Sequence, residues 1–409
     1  MEHTIPAGPR GAASVTGPTA CPSDPEAWIE RVRALAPSVA RWRDTAERER
    51  RLPPPLVEAL RDAGMFALSS PALADGPALD HETAVRVIEE LSRLDGSVGW
   101  NAMVATWAAI TSSYLPEAGL REVYRGGPGT VIAGGGAPSG TAIPVPGGFR
   151  LTGRWGVASG CHQAAWMMGG ASVTLHGKPR LGPDGSPELR IFVVPATACE
   201  ILDTWHTMGL RGTGSHDWQL RDVFVPDSLS YPMTFGEARE PGVLSFATFP
   251  WYVCGRAAGV ALGIARDAIE TFTAVARTKI PMGSQTPLAT RSTVQDRLGR
   301  AEALVRSGRA LLYETVRALP PSPRCSVAIS EDLKAAMRLA CTHAVQSAIE
   351  AVDLMFHAAG MAGVYTASRL ERCFRDVHVV SQHIIVAASN LEAAGKHLLG
   401  PGLEAGHGR

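Results

Sequence analysis

The chain has 409 residues, enough for more than one core and too many for a single ordinary domain. Its 39 Lys and Arg balance 39 Asp and Glu, which argues against a nucleic-acid partner and for a small molecule. The N-terminus lacks a signal-peptide core, and no run of about 18 apolar residues suggests a membrane span, so a soluble cytoplasmic protein is expected.

Residues 1–24 are rich in Gly, Pro, Ala, Ser and Thr without periodicity and are expected to form a disordered tail. Residues 25–125 follow as a helical domain. Trp28, Ile29, Val32, Leu35 and Val39 recur at helical spacing. Pro53, Pro54 and Pro55 open a second helix that Gly64 is placed to end. Asp80 is suited to cap a third helix running to Leu94, and a fourth is expected from Val98 to Tyr114. The texture changes at Gly126. Short apolar, β-branched runs such as Thr130-Val131-Ile132 and Arg190-Ile191-Phe192-Val193-Val194 alternate with Gly and Pro, as in an antiparallel barrel or sandwich over 126–240. From 241 to 409 the pattern is helical again. Four long stretches, near 250–279, 291–318, 329–357 and 366–398, predict an antiparallel four-helix bundle with a turn at 318–324.

Seven cysteines (Cys21, Cys161, Cys199, Cys254, Cys325, Cys341 and Cys373) form no C-x-x-C pair, so reduced thiols are expected. No H-E-x-x-H or similar cluster argues for a metal, and no G-x-G-x-x-G between a strand and a helix argues for nicotinamide binding.

Four motifs then stand out. Residues 205–226 read W-H-T-M-G-L-R-G-T-G-S followed by a strand ending in Val225-Pro226. Gly153 to Gly160 read G-R-W-G-V-A-S-G. Arg277 precedes a loop, and Arg372-Cys-Phe-Arg375-Asp376 reads R-x-x-R-D. With the helical–β–helical order, this resembles the acyl-CoA dehydrogenase superfamily over about residues 27–400. The implied fold class is α+β, acyl-CoA dehydrogenase-like. One departure points to its flavin-dependent monooxygenase branch. Dehydrogenases of the family place a catalytic glutamate shortly after the R-D segment, and here that stretch holds His383 and no Glu.

What the resemblance implies is an oxygenase that receives reduced FMN or FAD from a separate reductase. Dioxygen would form a flavin hydroperoxide that hydroxylates a small phenolic or polyketide-like molecule. N-oxygenation of an amine such as an amino sugar is the alternative; acyl-CoA dehydrogenation and a non-catalytic flavin-binding module rank below it. His383 is the expected general acid or base, since imidazole titrates near pH ~6.5. Its five-residue offset from His378, about 140° on a continuous helix, is expected to keep His378 out of the site. Ser159 is expected at the flavin N5 region, the alternative being a strand serine satisfied by backbone. Trp205, Arg211, Thr213 and Ser215 are expected along the flavin, with turn chemistry beside Gly212 and Gly214 as the alternative for the two hydroxyls. Arg277 and Lys279 are candidates for a flavin phosphate, across a subunit boundary, or else a solvated helix end. Trp100, next to Asn101, is a candidate for the substrate pocket or for plain core. Gly135 stands where some relatives have a serine near the flavin, so that contact is missing. A homotetramer is implied by the family.

Overall fold

The structure, a computed structural model, describes residues 24–182, 185–235, 243–320 and 329–400. The expected tail lies outside the described residues except for Asp24, as do Cys21, Cys325 and the 321–324 part of the Pro-rich turn. Among the described residues, no helix is long and apolar enough to cross a membrane.

Six helices come first: α1 (Pro25–Ala34), α2 (Ala36–Glu49), α3 (Pro54–Asp62), α4 (His81–Leu94), α5 (Gly96–Ser112) and α6 (Glu117–Val123). Side-chain caps set three of the starts. Asp24 accepts the Glu26 N–H, Asp80 the Thr83 N–H, and Asp95 the N–H groups of Ser97 and Val98. Almost every residue of α5 is buried, as an all-round apolar helix requires. It packs on the long helix α7 (Cys254–Thr278), on the first strand and on the turn at 211–213.

The central strands are β1 (Ile132–Val145), β2 (Gly148–Ala158), β3 (Trp166–Leu175), β4 (Lys178–Pro179), β5 (Leu189–Pro195), β6 (Glu200–Leu202), β7 (His216–Pro226), β8 (Ser230–Thr234) and β9 (Leu244–Ser245). They form one sheet in the order β6-β7-β2-β1-β3-β5-β8-β9, with β4 hairpinned onto β3. The sheet is mixed rather than antiparallel throughout, because β1 pairs with β3 in parallel and β8 with β9 likewise. After the β1–β2 hairpin, the chain crosses the start of β1 and enters β3 on its other side. Side-chain alternation is the same in both kinds of ladder, so only the connection sets the direction. Gly140, Gly153 and Gly169 leave room for the Trp155 indole; a Cβ on any of them would stand 2.4–2.6 Å from it.

The C-terminal part comprises α7, α8 (Ser292–Arg317), α9 (Glu331–Ala359), α10 (Arg369–Val380) and α11 (Asn390–Leu398). The last expected helix, 366–398, is therefore two helices, with non-helical chain from 381 to 389. One hydrophobic core unites the helices and a second fills the sheet; Ala164 and Ile385 pack against both. The candidate site lies where these two cores meet.

Candidate functional site

Strand β2 ends in a bulge. Three steps from Trp155 to Ala158 match two on β7, and Val157 takes the left-handed conformation at φ +60°. Ser159 is the first residue of the crossover that follows. The crossover is pinned at three points: Gly160 N–H to the Thr213 carbonyl at 2.8 Å, the Cys161 thiol to the Gly214 carbonyl at 3.2 Å, and Gln163 to Asn101 at 2.8 Å. Ser159 is thereby held against both α5 and the 211–215 segment.

That segment is a turn, not the extended chain on which alternation would place Thr213 and Ser215 on one face. Residues 211–213 form a single 3-10 turn between left-handed Leu210 (φ +49°) and Gly214 (φ +56°). The turn still brings the hydroxyls together: Thr213 Oγ1 lies 2.6 Å from Ser215 Oγ, which lies 2.7 Å from Ser159 Oγ. Trp100 closes the group, its indole N–H donating to Ser159 Oγ at 3.0 Å. All four residues are buried.

The R-x-x-R-D segment on α10 holds this turn in place. The Leu210 N–H donates to the Asp376 carboxylate at 2.6 Å, and the Arg375 guanidinium donates to the Met208 carbonyl and pairs with Glu47 at 2.8 Å. A Cβ at Gly209 would stand 2.4 Å from the Arg375 carbonyl oxygen, so only glycine allows this approach. Arg372, between Asp44 and Asp95, ties the same helix to the start of α5. Burial pushes the Asp376 carboxyl up to about 8, the neighbouring Asp95 adding to the shift.

His383 lies three residues beyond the end of α10. Its N–H donates to the Val380 carbonyl, and Nδ1 accepts the Ile385 N–H at 3.4 Å. The half-buried ring meets Trp100 edge-on at 5.4 Å and Trp107 at 6.3 Å, with an 89° angle to the latter. Burial lowers its pKa to about 4, so the imidazole is uncharged at neutral pH. Trp100 therefore bridges the two residues singled out for chemistry, Ser159 and His383. His378 faces elsewhere, bonding Asp353 at 3.1 Å. The helical-offset argument for that separation does not apply, because the helix stops at Val380.

The other expected residues are placed differently. The Trp205 indole N–H donates to the Leu210 carbonyl at 3.1 Å, closing its own loop. Arg211 donates to the Glu47 carbonyl at 3.3 Å, fastening the turn to α2. Arg277 is exposed in the last turn of α7, the end away from the Trp100 cluster, and the Lys279 ammonium caps α9 through the Ala359 carbonyl at 2.7 Å. Neither is brought to the Ser159–His383 group. Two residues were not foreseen. His216, buried, accepts the Thr204 and Trp205 N–H groups through Nδ1 and shapes the loop before the turn. Trp107 presents a buried indole N–H with no partner among the described residues. Its spacing of seven from Trp100 puts both on one face of α5, a signal legible in the sequence.

These surroundings fit an isoalloxazine ring. Ser159 offers a hydroxyl, Gly135 has open space where a side chain would stand, and Val157, Met208 and Ile384 leave apolar surface uncovered on the bordering segments.

Residues 24–122 match the acyl-CoA dehydrogenase N-terminal domain and residues 256–388 its C-terminal domain. The chain belongs to the acyl-CoA dehydrogenase family. It is 32% identical over 363 residues to an indole-3-acetate monooxygenase of Pseudomonas putida, covering 87% of this chain and 89% of that one. The oxygenase component of an FADH2-dependent resorcinol hydroxylase of Rhizobium sp. is 28% identical, covering 90% and 91%. XiaF from Streptomyces sp., solved with FADH2 and glycerol, superposes with a TM-score of 0.82 at 28% identity, covering 92% and 96%. Within the family, the chain is therefore a flavin-dependent monooxygenase of the two-component branch, using reduced flavin. A separate reductase and a small-molecule substrate come with that class.

Proposed function

We propose that this chain hydroxylates a small, flat aromatic, phenolic or indolic, with His383 at the substrate and Ser159 at the flavin. The observation that carries the reading is the aromatic wall around His383. Trp100 and Trp107 stand edge-on to the imidazole, Phe249 lies 5.9 Å from Trp107, and the Trp107 N–H is left for an acceptor on the substrate. The named activities of the relatives, on indole-3-acetate and resorcinol, lie in the same chemical range.

Bound reduced flavin supplies the oxygen-activating chemistry. The residues bind, orient and manage protons around it. Ser159 forms the polar edge of the flavin site, with Thr213 and Ser215 hydrogen-bonded behind it and Trp205 and Arg211 bracing the loop. The uncharged His383, with Nδ1 accepting the Ile385 N–H, carries its proton on Nε2 and can hold a substrate hydroxyl oxygen by donating it, as a general acid. Trp100 keeps the imidazole and Ser159 in fixed relation. Arg277, exposed, is free to reach a flavin phosphate in a second copy of the chain, and Lys279 braces the neighbouring end of α9 through the Ala359 carbonyl. A homotetramer in the cytoplasm, acting without membrane or nucleic acid, completes the proposal.

The test is anaerobic titration with reduced FMN and reduced FAD, then mixing with oxygen and a panel of phenols, indoles and aryl amines. A product one oxygen atom heavier from a phenol or indole is expected. Oxygenation of the amines alone would replace this reading with N-oxygenation.

A further inference from the structure

The four buried polar groups around Ser159 form a chain whose proton order is fixed at both ends. At one end, the Trp100 indole nitrogen can only donate, so Ser159 Oγ accepts there. At the other, Thr213 Oγ1 lies 2.7 Å from the Leu210 carbonyl oxygen, which can only accept. Two oxygens at that distance without a proton between them would repel, so the Thr213 hydroxyl proton points to Leu210. Thr213 must then accept from Ser215, and Ser215 must accept from Ser159. Each hydroxyl has one proton and every one is committed. The members are shielded from water, Thr213 being 1% exposed, Ser215 2% and Ser159 6%, so solvent cannot reverse the order.

Ser159 Oγ gives its proton to Ser215, takes one from Trp100, and keeps a single lone pair. Toward any further group it can only accept. We propose that this ordered chain makes Ser159 an obligate acceptor and so selects reduced over oxidised flavin. The proposal rests on the reading that Ser159 meets the flavin at N5. Reduced flavin carries an N–H there and satisfies the lone pair; oxidised flavin carries a lone pair and opposes it. Thr213 and Ser215 act through Ser159 and are positioning residues. The device lets the site capture what a reductase delivers and release the spent ring.

The experiment compares dissociation constants for reduced and oxidised flavin, measured anaerobically and aerobically, in the parent and four variants. Ser215→Ala removes the group that takes the Ser159 proton and leaves Ser159 free to donate. Thr213→Val frees the Ser215 proton to turn back toward Ser159, with the same consequence. Both are expected to bind oxidised flavin five- to tenfold more tightly with little change for reduced flavin, an improvement that mere loss of structure would not produce. Thr213→Ser keeps the hydroxyl and should match the parent. A tenfold narrowing of the ratio also lowers the bound two-electron potential by about 30 mV. Equal weakening of both redox forms, or an unchanged ratio, in Ser215→Ala and Thr213→Val would overturn the proposal. Ser159→Ala separates the two levels. If it leaves both affinities untouched, the placement of Ser159 at the flavin fails; if it shifts them while the other variants leave the ratio alone, only the chain fails.

Discussion

Asp376 gives the sharpest test of how α10 supports the 210–215 segment and the flavin site proposed there. Its Oδ1 receives the Leu210 N–H at 2.6 Å, and Leu210 is a non-glycine residue at φ +49°. A left-handed residue of this kind costs about 1–2 kcal/mol, so the loop needs an external hold. Asp376→Ala leaves the buried N–H without an acceptor, a loss of about 1–3 kcal/mol. A lower urea midpoint is expected, together with roughly tenfold weaker binding of reduced flavin as the Thr213–Ser215 turn loses its anchor. Asp376→Asn keeps an oxygen for Leu210 and should be far milder. Its pH dependence carries the sign. Burial raises the folded-state pKa to about 8, so the favourable contribution is complete below the unfolded value and is lost as pH rises toward 8. The slope is about 1.4 kcal/mol per pH unit, and asparagine has no such loss. Urea titrations at pH 5, 6, 7 and 8 should therefore show the Asn variant gaining on the parent with rising pH. An Asn variant as damaged as Ala at pH 7, or a constant offset across the series, would refute the reasoning.

His383→Ala should preserve folding and flavin binding but lower coupled product formation by about 100-fold or more, with hydrogen peroxide taking its place; unchanged coupling would remove the acid–base role. With a pKa near 4, His383 stays uncharged from pH 5 upward and should add no limb near pH ~6.5 to the product rate; a limb that disappears in His383→Ala would contradict the burial argument. The same lowered value means its contribution to stability is complete above the unfolded pKa and declines as pH falls toward 4. Gly209→Ala drives a Cβ into the Arg375 backbone and should cost about 2 kcal/mol or more in chemical denaturation, with a matching loss of flavin affinity. Trp107→Phe removes an unpartnered buried donor, so the melting temperature should hold or rise while KM for an oxygen-bearing aromatic increases; an unaltered KM would take Trp107 out of substrate binding.

Much of this was legible in the sequence. Apolar periodicity placed α4, Asp80 caps it as its position suggested, and the helix expected over 98–114 is α5, shifted two residues earlier. The motif around Thr213 and Ser215 pointed to two residues that do meet Ser159, although by way of a turn rather than strand alternation. The break after Val380 was hidden because Val379, Val380, Ile384, Ile385 and Val386 carry no Gly or Pro to mark it, and apolar β-branched runs suit several conformations. The role of Asp376 was invisible because a motif names a residue without naming its partner; its partner is a backbone N–H 166 positions earlier in the chain. Trp107 belongs to no motif, and only its spacing from Trp100 could have raised it.

The end of α10 has a consequence for how such a protein diversifies. Asp376 grips the Leu210 loop from within the helix, while His383 stands only seven positions later on chain that has left it. The two residues thus stand on different kinds of backbone, divided by the helix terminus. Within 381–389, Val386 is buried in the helical core and Ile385 packs against both cores, whereas Gln382 and Ile384 are exposed, so substitutions at the exposed positions can change the surface beside His383 while the Asp376–Leu210 contact is kept. Libraries confined to the exposed positions of this stretch are the place to look for altered selectivity.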